Sequence, residues 1–240
     1  MRGGTVPPHF VGWGSVSFTS PRASRKGALA GDERRCYVLR VNDLFQDKAQ
    51  EWDELPVPAQ ISAGVGATLL RKLPLRSSMQ VMDFGAGTGL ICAHVAPNVD
   101  KIYAVDISES MLERLAAKPE LQGKVEPVCR NILDEPLGQD VDLIMSAMAM
   151  HHVEDTDQLF EAFAAHLSSG GLLAVADLDE EDGSFHPPGV EGVFHHGFDR
   201  ASLQAKLEAH GFDDVEFSTA AEVSRDGKSF PIFLVTATKR

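Results

Sequence analysis

Apolar residues fall along this chain in short unbroken runs, separated by stretches in which they recur every three or four positions. Val81 to Phe84, Lys101 to Asp106, a run ending at Val128-Cys129, Val141 to Ala147 and Leu172 to Leu178 each read as a buried strand. The stretches between them have the helical period. Ile61, Val65, Leu69 and Leu70 follow Pro58; Met111, Leu112 and Leu115 follow a capping Ser108; Leu203 and Leu207 follow a capping Asp199. Leu159, Phe160, Phe163 and Leu167 mark another helix, from about Thr156 to a stop at Gly170-Gly171. Strands that are apolar nearly throughout and alternate with helices predict a parallel sheet covered on both faces. The last part breaks the pattern: Val215 to Val223 and Phe230 to Thr238 flank a short turn at Asp226-Gly227, which predicts an antiparallel hairpin.

The first strand runs into Gly85-Ala86-Gly87-Thr88-Gly89, and a helix follows from about Leu90. Glycines at 85, 87 and 89 let a ligand lie against the backbone and let the helix pack close to the strand, while Asp83 points a carboxylate at the same crevice. The dinucleotide fingerprint Gly-x-Gly-x-x-Gly would place its third glycine where Leu90 stands. The second strand ends in Asp106, 17 positions after Gly89 (106 − 89), where a ribose hydroxyl pair needs an acceptor.

Together these residues resemble the class I S-adenosylmethionine-dependent methyltransferases of the ubiquinone/menaquinone type. The resemblance covers about Phe45 to the C-terminus. It implies an α/β, Rossmann-like, seven-stranded sheet, mostly parallel with an antiparallel C-terminal strand, in the order 3-2-1-4-5-7-6 and with helices on both faces. It further implies that S-adenosylmethionine is the cofactor, held at Asp83, Gly85, Ala86, Gly87, Thr88 and Gly89, at the ribose acid Asp106, and at Ile107, Met111, Asn131, Ile132 and Ser146. Phe45 and Trp52 match the aromatic segment that closes over the cofactor, or else they cover the core. Asn131 offers the base an amide, or forms a loop turn.

Methyl transfer from a sulfonium is a direct displacement, and a hydroxyl, protonated amine or carbon acid as acceptor also needs a general base. The fourth strand exits into Met148-Ala149-Met150-His151-His152, and the segment after the fifth carries His186, His195 and His196 beside Phe185, Phe194 and Phe198. His151, His152, His186, His195 and His196 are the candidates, each of which has a plain structural alternative. Met145, Met148 and Met150 line a substrate pocket or fill the core. Asp177, Asp179, Glu180 and Asp182 offer metal ligands without a metal-binding spacing, so no metal is expected.

Composition narrows the setting. A net charge of −13 argues against nucleic acid as partner, and the expected acceptor is a small molecule. The 240 residues suit one α/β domain, as a monomer or homodimer, over residues 43 to 240. Three cysteines without a Cys-x-x-Cys pair suit a reducing, cytoplasmic setting, and no apolar run reaches the length of a membrane span. Residues 1 to 42 are rich in Gly, Pro, Ser and Arg; through Arg35 they hold six basic residues and two acids, which reads as an extension or an organellar transit peptide. Two alternatives stay open: a nicotinamide-dependent oxidoreductase, disfavoured by the glycine offset and the hairpin, and a non-catalytic adaptor or protein methyltransferase.

Overall fold

The computed structural model describes Gln46 and residues 48 to 240, so Phe45 and the extension over residues 1 to 42 lie outside the described residues. Helix α1 (Pro56–Lys72) begins two residues before Pro58, because Pro56 itself opens the first turn, where a missing N–H leaves nothing unsatisfied. There follow β1 (Gln80–Phe84), α2 (Leu90–Val95), β2 (Lys101–Asp106), α3 (Glu109–Ala116), β3 (Val125–Cys129), β4 (Val141–Ala147), α4 (Thr156–His166), β5 (Leu167–Leu178), α5 (Arg200–Ala209), β6 (Phe212–Arg225) and β7 (Lys228–Lys239). The seven strands form one sheet in the order β3-β2-β1-β4-β5-β7-β6. Pairing is parallel from β3 through β5, and β7 runs antiparallel to both β5 and β6. The order implied by the resemblance is the one observed.

Successive residues of a strand face opposite sides, and the two cores divide accordingly. Val81, Ile102, Ala104 and Leu143 pack with α1, α2 and α3 on one face, whereas Met82, Tyr103, Val105 and Ile144 pack with α4 and α5 on the other. The central strands are buried on both faces, which is why they read as unbroken apolar runs. Phe160 and Phe163 of α4 are fully buried, and truncating either to alanine costs about 3–5 kcal/mol.

Two boundaries differ from the sequence pattern. Helix α4 ends at His166 rather than at Gly170-Gly171, and Leu167 already pairs with Val141 before the register jumps to Leu143 opposite Leu172. Leu167 keeps the helical period but contributes its side chain to the sheet. His166 fixes the helix end, with Nδ1 2.6 Å from the Ala162 carbonyl and Nε2 accepting the Leu137 N–H at 2.9 Å. The β6–β7 hairpin turns on Asp226 and Gly227, both left-handed (φ 51° and 78°), as a two-residue turn matched to strand twist requires. Its strands run longer than expected, Phe212–Arg225 and Lys228–Lys239. Among the described residues no helix is long and apolar enough to cross a membrane.

Candidate active site

Strand order reverses between β1 and β4, and a crevice opens there at the carboxyl ends of the strands. The glycine turn forms its floor. The N–H groups of Gly85 and Ala86 both donate to the Val105 carbonyl (2.9 and 3.1 Å), and the Gly89 N–H donates to the Ala86 carbonyl (2.8 Å). Gly85, Gly87 and Gly89 all have positive φ (69°, 53° and 80°). Two of them are also sterically required: a methyl on Gly85 would lie 2.3 Å from the Ala149 Cβ, and one on Gly89 would lie 2.9 Å from Leu115 and Leu121. Gly87 differs, with nothing within 4 Å of the place a Cβ would take. Its face is open to a ligand.

Asp106 braces this turn. Its Oδ2 accepts the Gly87 N–H at 2.7 Å and its Oδ1 accepts the Ser108 N–H at 2.9 Å, while the Ser108 hydroxyl caps α3 by accepting from the Met111 N–H. Asp83 is buried at 1% exposure and accepts from the Cys92 thiol at 3.1 Å. Burial raises the Asp83 carboxyl to about 7 and pushes the Cys92 thiol well above its usual range.

A short segment reaches over the turn. Asp53 accepts from the Thr88 hydroxyl at 2.5 Å and pairs with Lys118 at 2.6 Å, and Arg114 donates to the Gln50 carbonyl at 2.7 Å. These bonds hold Trp52 half-buried against the crevice.

The crevice is a cavity of about 960 Å³. That is the top of the ~300–1,000 Å³ range usual for one small ligand, so a second molecule has room. Trp52, Asp83, Gly85, Ala86, Gly87 and Thr88 line it, as do Asp106, Ile107, Met111 and Asn131. Ile107 leaves 62% of its surface open, an apolar face beside Asp106. Asn131 spends its amide on Asp134 (2.7 Å) and its carbonyl oxygen on the Leu133 N–H (3.2 Å), so it is a turn former that borders the cavity. Three of the expected positions lie behind the wall. Gly89 caps α2, Ile132 is buried in the core with Met82 and Tyr103, and the Ser146 hydroxyl donates to the Phe84 carbonyl at 2.8 Å.

His151, His152, His186 and His195 also line the cavity, whereas His196 stands apart, 59% exposed and 3.8 Å from Glu181. The rings of His151 and His152 lie 4.1 Å apart and those of His151 and His186 lie 5.0 Å apart. His152 Nδ1 is 2.6 Å from the Gly192 carbonyl and His195 Nε2 is 2.9 Å from the Val153 carbonyl. Burial holds the His152 imidazole below its usual range and lowers His186 to about 4, with the neighbouring imidazoles adding to both.

Sequence reasoning missed the partner of His151. Asp177, fully buried in β5, lies 2.7 Å from His151 Nδ1 and accepts the His151 backbone N–H at 3.1 Å. An acid inside an otherwise apolar strand was the available signal. Met148 is also exceptional, a non-glycine residue at φ 57° whose N–H donates to the Ala176 carbonyl. Such a conformation costs about 1–2 kcal/mol and turns the β4 exit into the cavity. Met145 and Met150 are core residues, and Met148 alone of the three borders the cavity. The loop acids serve the loop itself: Asp179 takes a two-pronged bond from Arg200 (2.7 Å each), and Asp182 pairs with Lys228 at 2.6 Å.

A cofactor crevice of this form, on a sheet that closes with an antiparallel β7, is the architecture of the class I S-adenosylmethionine-dependent methyltransferases. The chain belongs to that family, since residues 58–216 match the Methyltransferase domain model. A methyltransferase domain over most of the chain sets the nicotinamide alternative aside. An uncharacterized methyltransferase of Schizosaccharomyces pombe is 32% identical over 51% of this chain, and one of Bacillus pumilus is 25% identical over 72%. The chain spans 49% of the first protein's length and 84% of the second's, so the first match is partial. A methyltransferase structure from Aquifex aeolicus aligns over 81% of this chain and 98% of its own, with TM-score 0.61 and 23% identity, which shows the shared fold.

Proposed function

We propose that this protein transfers the methyl group of S-adenosylmethionine to a small-molecule acceptor by direct in-line displacement. The observation that carries the reading is the single cavity lined both by the glycine turn with Asp106 and by the imidazoles of His151, His152, His186 and His195. Its volume suits the cofactor and a second small molecule together.

The residues present fit the cofactor. The open face at Gly87 admits the ligand against the backbone, the Asp106 carboxylate in the cavity wall suits ribose hydroxyls, and the exposed Ile107 face suits an adenine ring. Asp83 and Thr88 belong to the methionine end, with Trp52 covering it. When bound, S-adenosylmethionine supplies an electrophilic methyl on a sulfonium sulfur. The chain's contribution is alignment and exclusion of water: the turn fixes one partner, the histidine-lined wall receives the other, and the segment carrying Trp52 covers the join.

The test is calorimetric titration with S-adenosylmethionine, S-adenosylhomocysteine and NADH, followed by transfer of a labelled methyl into fractionated cell extract. Binding of the two sulfur nucleotides, with label in the low-molecular-mass fraction, is the expected result. Label confined to protein would replace the small-molecule acceptor with a protein one, and binding of NADH alone would end the reading.

A further inference from the structure

His151 is fixed on every side but one. Its backbone N–H and its Nδ1 are both engaged by Asp177, and its carbonyl accepts the N–H groups of Phe194 (3.0 Å) and His195 (3.3 Å). Asp177 is held in turn by the Leu178 N–H at 2.8 Å. A carboxylate only accepts, so Nδ1 carries the imidazole proton and Nε2 is left as a bare acceptor. That Nε2 is buried and has no partner, as is the Nε2 of His186 in the adjoining ring. A histidine kept only for packing would have both nitrogens satisfied, since a buried polar atom without a partner costs about 1–3 kcal/mol. Asp and His in this relation are the orienting pair of a general base.

We infer that His151 is the general base of this site, positioned by Asp177, and that the acceptor group is a neutral hydroxyl on an apolar body. The inference rests on the methyltransferase reading of the same cavity. The surroundings choose among acceptors. The rings of His152 and His186 lie against His151 and carry no formal charge when neutral, while Arg225 acts on His186 and Lys48 on His152 from farther out. Burial keeps His152 and His186 in that neutral state. A carboxylate brought here would face Asp177 with no imidazolium to offset it, and an ammonium would shed its water beside uncharged rings, since the cavity acids Glu154 and Asp155 are exposed to solvent and Asp155 caps α4. A hydroxyl satisfies Nε2 and brings in no charge.

The step balances. The acceptor's O–H bond breaks and its proton bonds to His151 Nε2, while an oxygen electron pair forms the bond to the methyl carbon. The methyl–sulfur bond breaks with its electron pair staying on sulfur, so the sulfonium leaves as a neutral thioether. The imidazolium so formed is paired with Asp177 and later releases its proton to water.

The test uses the full chain, labelled with ¹⁵N at histidine and saturated with S-adenosylhomocysteine, and reads the two ring nitrogens of His151 by NMR. A protonated Nδ1 and a bare Nε2 are expected, with catechol moving the Nε2 resonance and benzoate or benzylamine at equal concentration leaving it in place. A proton on Nε2 in the resting protein, or an Nε2 signal that ignores catechol, overturns the proposal while leaving the cofactor reading intact. Failure to bind S-adenosylhomocysteine overturns the reading beneath it. In Asp177→Asn the proton is expected to move to Nε2, and kcat for catechol methylation to fall about a hundredfold at similar KM. An unchanged tautomer removes the positioning role. Because Asp177 is buried and its variant can misfold, the wild-type spectrum decides by itself.

Discussion

Asp106 Oδ2 accepts the backbone N–H of Gly87 at 2.7 Å, so the acid that ends β2 and the middle glycine of the turn after β1 form one unit. Its other oxygen takes the Ser108 N–H at the start of α3. Asp106→Ala leaves both donors without their partner and removes the acceptor proposed for the ribose. Hydrogen bonds to a charged group contribute about 1.5–3 kcal/mol each, and every 1.4 kcal/mol is about tenfold in affinity. Asp106→Ala is therefore expected to bind S-adenosylhomocysteine at least about tenfold more weakly and to melt at lower temperature. Calorimetry and thermal melts check this, and wild-type affinity in the variant would contradict it.

The three glycines of the turn separate under substitution. Gly85→Ala forces its methyl onto Ala149 and Gly89→Ala forces one onto Leu115 and Leu121, so both lose stability. Gly87→Ala meets no atom within 4 Å, and its φ of 53° lies where other residues survive at a cost of about 1–2 kcal/mol. The expected result is a folded Gly87→Ala protein with weakened cofactor binding, beside Gly85→Ala and Gly89→Ala proteins that melt early. Equal melting of all three would contradict the division.

Why this much could be read in advance follows from range. Val81, Ile102 and Leu143 sit in strands buried on both faces, which leaves an unbroken apolar run in the sequence. Asp106 and the glycines are local features whose spacing carries the crevice. What escaped depends on contacts between distant residues. The partnership of His151 with Asp177 joins positions 26 apart, and the burial of Ile132 in the core that holds Met82 and Tyr103 is set by the sheet rather than by its own loop. The end of α4 was misplaced because Leu167 fits the helical period and the strand equally well.

The segment around Trp52 is tied down through Asp53, which bonds Thr88 of the turn and Lys118 beyond α3. Asp53 is partly exposed, and pairs of this kind contribute about 0–1 kcal/mol to stability. Asp53→Ala is therefore expected to melt near the wild-type temperature. It should still bind S-adenosylhomocysteine several-fold more weakly, because the covering segment is released from the turn. Limited trypsin digestion should cut sooner after Lys48 in the variant, and saturating S-adenosylhomocysteine should slow that cut in the wild type. Identical digestion of the two proteins would remove Asp53 from this role.

Asp83 and His186 pull the pH dependence of stability in opposite directions. Burial raises Asp83 from 3.8 to about 7, so between those values the folded chain holds a proton that the unfolded chain has released. Stability from this group therefore falls as pH rises from about 4 to 7, and a separation of about three in pKa corresponds to about 4 kcal/mol as an upper bound. His186 is lowered from 6.5 to about 4, so there the unfolded chain holds the extra proton and stability rises with pH over about 4 to 6.5. His186 is half-buried, and solvent screening makes it the smaller of the two effects. The wild type is thus expected to lose stability in urea between pH 5 and pH 8. Asp83→Asn, which keeps the shape and loses the titration, should reverse that slope, since the lowered imidazoles of His186 and His152 then dominate the window. Urea melts of both proteins at the two pH values decide the matter, and parallel changes in the pair would show that Asp83 does not titrate there.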